Sequence, residues 1–204
     1  MRGMPVAFVI ALVAVMALSA APARAQILVR PAYDCPAETL ERPFTAWGDH
    51  ANYVLVGDGG FEQGAQGWRL SRASVVDGNQ TLSRRAPADA HGLRLGPWGV
   101  AKSPDVCVGL RHPTLRFFAR NTGSKLGALA VEVVVTTVIG LQIGLPVGVV
   151  VNLRDGWSPS LRMPVVANLL ALGGRTRVAL RFTAVGPWSS WEIDDVYVDP
   201  YSKG

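Results

Sequence analysis

From Asn52 to the end of the chain, short runs rich in β-branched and aromatic residues are each closed by Gly, Pro, Asn, Asp or Ser. The punctuation recurs roughly every ten residues, too often for helices and well suited to strands joined by turns. The clearest runs are NYVLVG (52–57), GWRL (67–70), GLRL (92–95), TLRFFAR (114–120), LAVEVVVTTV (129–138), PVGVVVNL (146–153), TRVALRFTAV (176–185) and WEIDDVYV (191–198). VVANLLAL (165–172) alone could form a short helical turn or continue a strand. Strands without intervening helices predict an all-β antiparallel sandwich.

The N-terminus reads differently. Arg2, an apolar run from Pro5 to about Ala20, and Ala23-Arg24-Ala25 follow the order of a secretory signal peptide cleaved before Gln26. A membrane anchor is the alternative, but the run is short of the roughly 20 residues a span needs. Residues 26–51 hold three prolines and no sustained period, so they are expected to form an ordered arm before a domain at 52–204. Loss of Arg2 and Arg24 lowers the net charge from +5 to +3, and the remaining arginines are scattered rather than clustered. That pattern disfavours nucleic acid as a partner.

In an exported chain, a single pair of cysteines, Cys35 and Cys107, is expected to form a disulfide tying the arm to the body. Residues 133–151 carry no charge and would pass a hydropathy test for a spanning helix. Their glycines, Pro146 and β-branched content instead predict two strands joined near Gly140, with an unusually apolar turn in TTVIGLQIG (136–144).

Catalytic signatures are scarce. His50, His91 and His112 lack metal-ligand spacing, and there is no Gly-x-Ser-x-Gly elbow. Asp194 and Asp195 are adjacent on a strand, where neighbouring side chains point to opposite faces, so they are not expected to act as a glycosidase pair. The chain is therefore read as non-enzymatic.

LVGDGGFEQGAQGW (55–68), AHGLRL (90–95), HPTLRFFARN (112–121) and WEIDDVYVDPY (191–201) together resemble secreted jelly-roll modules of the galactose-binding-like superfamily, which includes many carbohydrate-binding modules. CPAETLERPF (35–44) with these motifs also resembles a group of exported bacterial proteins without an assigned role. The resemblance implies a jelly-roll sandwich whose first and last strands lie together. It further implies a structural calcium ion held by Glu62, Asp194 and carbonyls near His91. The alternative reading is that these carboxylates cap turns or pair with arginine.

Alternation assigns Leu115, Phe117, Ala119, Val178, Leu180, Phe182, Val196 and Val198 to the core. If the strands are neighbours, Arg116, Phe118, Arg120, Arg177, Arg181, Asp195 and Tyr197 share one outer face, suited to a sugar or an anionic cell-surface glycan. Alternatively the arm covers that face, with Phe44 and Trp47 lying on Phe118 and Tyr197. Trp98 and Trp188 are secondary contact candidates. Two functions follow: a secreted carbohydrate-binding module, favoured by an open face, or a structural or adhesive exoprotein, favoured by a covered face and an exposed hairpin.

Overall fold

The computed structural model describes residues 29–151, 156–167 and 174–200. The expected signal peptide (1–25) and most of the ambiguous 165–172 stretch lie outside these residues. The strands are β1 (Leu40–Glu41), β2 (Tyr53–Leu55), β3 (Arg69–Asp77), β4 (His91–Lys102), β5 (Val106–Gly109), β6 (Thr114–Asn121), β7 (Ala128–Thr136), β8 (Gln142–Val151), β9 (Ser158–Pro159), β10 (Met163–Pro164), β11 (Arg175–Val185) and β12 (Trp191–Val198).

All pairings between these strands are antiparallel, and the sheet curls into two layers that share β3 and β4. Leu93–Leu95 in the first half of β4 pair with Trp191–Ile193 of β12, which in turn pairs with β6. Val100–Lys102 in the second half pair with Arg181–Thr183 of β11, which continues to β7 and β8. The β3–β4 ribbon therefore turns the corner between layers. Its pairing breaks between Ser71 and Ala73, and Arg72 and Trp98 take φ of 51° and 57° there. Gly99 makes the corner feasible: a Cβ on it would lie 2.6 Å from the Arg72 carbonyl oxygen.

Leu93, Leu95, Leu115, Phe117, Val131, Val133, Leu180, Phe182, Trp191 and Ile193 fill the space between the layers. The core positions expected from alternation in β6, β11 and β12 are all buried there. β2 and β12 meet as the resemblance implied: Leu55 and Val54 pair with Tyr197 and Val198, and Val56 N–H donates to the Val196 carbonyl at 2.9 Å. β7 and β8 form the expected hairpin, and no helix among the described residues is long and apolar enough to cross a membrane.

The arm is fastened at several points. Val29 and Pro31 bridge to Thr137 and Thr176, β1 pairs with β2, and Cys35 is disulfide-bonded to Cys107 with Cα atoms 5.8 Å apart. Such a bond persists in oxidising compartments.

Candidate functional site

The outer face of β6 and β12 is divided between a sealed half and an open half. In the sealed half, a second apolar cluster of Phe44, Tyr53, Phe118 and Tyr197 is fully buried. The Phe44 ring stacks on Phe118 at 5.1 Å and meets Tyr197 edge-on at 5.8 Å, while Trp47 lies edge-on to Phe118 at 5.6 Å. Arg116 is buried beside them, 4.1 Å over the Phe44 ring, and its Nη1 donates to Asp49 Oδ2 at 2.6 Å. Tyr53 and Arg162 also donate to Asp49. Burial alone would raise the Asp49 pKa, but these three donors hold it well below the usual carboxylate range. Thus Arg116, Phe118 and Tyr197 face the arm rather than solvent.

Arg177 and Arg181 correct the shared-face expectation. β4 separates β11 from β12, which places both arginines on the other layer. There Arg181 makes a two-pronged ion pair with Glu132 at 2.6 and 2.7 Å, and Arg177 binds the Asp34 carboxylate at 2.9 Å. The seven residues do not form one surface.

Asp194 and Asp195 bring a second correction. A register shift between Asp194 and Tyr197, with Asp195 at φ 46°, interrupts the alternation that would have separated them. Both carboxylates consequently reach one residue, Gln80, whose N–H donates to Asp194 Oδ2 at 2.9 Å and whose Nε2 donates to Asp195 Oδ2 at 2.8 Å. Gln80 is fully buried and its Oε1 accepts from the Leu82 and Ser83 amides. Burial raises both aspartate pKa values; the neighbouring Asp195 charge adds to the rise at Asp194, and Gln80 and Arg85 oppose it at Asp195.

Glu62, on the glycine-rich turn, caps the start of β4. Its Oε1 accepts from the Ala90 and His91 amides at 2.9 and 2.8 Å, and its Oε2 lies 2.8 Å from His91 Nδ1. Burial tends to raise its pKa, but these bonds hold it below its ordinary value, while the same contact raises His91. Calcium asks for six to eight converging oxygen ligands. Here the oxygens of Glu62 and Asp194 are turned to nitrogen donors, and among the described residues no group of three or more His, Cys, Asp or Glu could hold a metal. As arranged, these residues do not fit a calcium cage.

The open half is a straight cross-strand row. Arg120 of β6, Glu192 of β12, Arg94 of β4 and Ser74 of β3 are direct register partners. Glu192 is fully buried beneath two half-exposed arginines: Arg94 donates to Oε1 at 2.8 Å, and Arg120 donates to Oε2. Trp157 holds the Arg120 guanidinium 4.9 Å over its ring and packs against the second apolar cluster. Trp47, 39 % exposed, lies edge-on to Phe118, two residues before Arg120 on β6. Of this group, the sequence reading singled out Arg120 as a ligand contact. Alternation against Leu93, Leu95, Trp191 and Ile193 was a signal for Arg94 and Glu192; nothing local marked Trp157 or Asp49. Trp98 and Trp188 are exposed, at the β4 corner and in the loop before β12 respectively.

A cleft of about 630 Å³ also separates the arm from the body. Its arginines are engaged within the protein, Arg85 with Glu41 and Arg177 with Asp34. There each arginine has its own carboxylate, whereas in the open row two arginines share Glu192.

No protein-family model and no curated protein matches the chain. Solved structures do match its fold, and many of them are carbohydrate-binding modules. The CBM22-1 and GH10 modules of Clostridium thermocellum xylanase 10B, complexed with xylohexaose, share 13% identity at a TM-score of 0.52, over 74% of this chain and 29% of that one. The CBM22-1 xylan-binding domain of Paenibacillus barcinonensis Xyn10C shares 13% identity at a TM-score of 0.49, over 73% and 94% of the two chains. TmCBM61, in complex with β-1,4-galactotriose, shares 18% identity at a TM-score of 0.39, over 71% and 96%. The chain thus has the β-sandwich fold of carbohydrate-binding modules.

Proposed function

We propose that this is an exported, non-catalytic glycan-binding domain that takes an acidic sugar on the open half of its β6–β12–β4 face. The observation carrying this reading is the Arg120–Glu192–Arg94 row. Two guanidinium groups share one buried carboxylate, leaving a net positive charge and outward N–H donors suited to a uronate carboxylate or sugar hydroxyls. Trp47 offers a ring for the C–H face of a pyranose, and Glu192 and Trp157 position the arginines. The paired aspartates, almost fully buried around Gln80, are poorly placed for hydrolysis.

Titration of the protein with uronic-acid oligosaccharides, alongside neutral xylo- and galacto-oligosaccharides, tests the reading. Acidic glycans are expected to bind more tightly, and Arg94→Ala to weaken them roughly tenfold or more, as for loss of a charged hydrogen bond. Failure of every glycan to bind, or binding indifferent to both Arg94→Ala and Trp47→Ala, refutes it.

A second reading, a structural or adhesive exoprotein without a sugar ligand, is favoured by the seal of Phe44 over Phe118 and by the exposed β7–β8 turn. It expects no glycan response and a partner protein lost with changes at that turn.

A further inference from the structure

The β7–β8 turn presents Val138, Ile139 and Leu141 at 51, 85 and 57 % exposure. These residues are held out by a closed turn. Thr137 N–H donates to the Leu141 carbonyl at 2.9 Å, Leu141 N–H donates to Thr137 Oγ1 at 3.0 Å, and Gly140 takes φ 85°. An apolar tip kept this rigid pays solvation continuously without gaining core contacts.

Its surroundings are cationic. The Arg30 guanidinium comes within 4.0 Å of where a Gly140 Cβ would stand. Lys102 Nζ donates to Gln142, next to Leu141, at 2.9 Å. Among the described residues neither Arg30 nor Lys102 has a carboxylate partner, whereas nearby Glu132 is already consumed by Arg181. Apolar side chains at a tip, with unneutralised cations set behind them, match the layering of a bilayer surface: acyl chains inside, anionic headgroups outside.

We propose that this turn is a membrane-surface anchor, with Val138, Ile139 and Leu141 entering the headgroup–acyl boundary and Arg30 and Lys102 facing anionic headgroups. The occupant is a lipid surface rather than a protein groove, because both charges that frame the tip have one sign and neither is ion-paired among the described residues; the pocket beside Arg30 also holds Asp34, which pairs with Arg177, and Asp105.

Co-sedimentation of the protein with phosphatidylcholine vesicles, with and without phosphatidylglycerol, tests this. Binding to the anionic vesicles alone is expected, weakening with salt. Ile139→Asp is expected to reduce partitioning about tenfold, and Arg30→Glu with Lys102→Glu to abolish the preference for phosphatidylglycerol. Unchanged near-ultraviolet circular dichroism confirms that the variants are folded. The proposal is overturned if anionic vesicles do not sediment the protein, or if Ile139→Asp sediments like the parent. It is equally overturned if that substitution instead dissolves a self-associated species in protein that ignores vesicles.

Discussion

Arg116 and Asp49 form a buried ion pair that joins strand β6 to the N-terminal arm, Nη1 to Oδ2 at 2.6 Å, with both side chains nearly sealed from water. Tyr53 Oη at 2.6 Å, Arg162 through Nε at 3.1 Å and through Nη2, and the Ala51 N–H at 3.2 Å also donate to the carboxylate. Asp49→Ala strands Arg116 in an apolar cluster. It is expected to lower unfolding stability by about 3–5 kcal/mol, the cost of breaking one side of a buried pair. Urea denaturation measures this; a loss within experimental scatter would show that the pair is solvated.

Phe44 carries the arm's apolar contact with the sheet. It is fully buried among Phe118, Tyr53 and Tyr197. Phe44→Ala is expected to cost about 3–5 kcal/mol, as for large-to-small core changes. The same change should raise hydrogen exchange in residues 40–53 before it affects the amides of β7 and β11. Uniform loss of protection would argue against the arm as a separate contact.

Below neutrality, His112 contributes a pH response of its own. Its Nδ1 accepts the Gly109 N–H at 3.1 Å while Nε2 lies 3.2 Å from Glu38. A proton on Nδ1 would cancel the first bond. Burial lowers its pKa below the ordinary 6.5, against the opposing pull of Glu38. The unfolded chain therefore binds the proton more tightly, and the stabilisation is complete above pH 6.5 and lost as pH falls below it. Below that point the melting temperature is expected to fall relative to that of His112→Gln, against the opposite response of Asp194, Asp195 and His91, whose pKa values are raised. Matching profiles for the two proteins would rule the residue out.

The Cys35–Cys107 bond spans 72 residues. In the chain-entropy model, closure of a loop of this size contributes about 4 kcal/mol. Cys35→Ser with Cys107→Ser is expected to destabilise the protein by an amount of that order without dispersing the sandwich. Loss of cooperative unfolding in the double variant would show that the bond is needed to form the core.

Chelation addresses the acidic turn. Since the Glu62 and Asp194 oxygens accept from nitrogen donors, excess chelator or added calcium is expected to leave the melting temperature unchanged. A calcium-dependent rise of several degrees would mean that both carboxylates rearrange around the ion.

The fold was readable from the sequence because strand signals are local. Valines alternating around Glu132 announce β7, and uncharged QIGLPVGVVV announces β8 at the edge of the layer. Alternation also placed Phe117 and Leu180 in the core correctly. It failed at Asp194 and Asp195, because a register shift is an irregularity that periodicity cannot contain. The shared face failed for a different reason: the alternation that turns Arg177 and Arg116 outward does not reveal that β4 lies between their strands. Asp49 was missed since its role exists only once the arm folds back across β6. The covering of Phe118 by Phe44 was one of two readings, and the structure decided between them.

The arm's attachments reach opposite sides of the molecule: Val29 and Pro31 at β7 and β11, Phe44 against β6 and β12. A shortened chain starting at residue 52 would bare Phe118, Tyr53 and Tyr197 together and leave Arg116 without its counter-charge. The N-terminal segment is thus a clasp, and recombinant versions that trim it in search of a minimal sandwich would yield a sticky, clumping product.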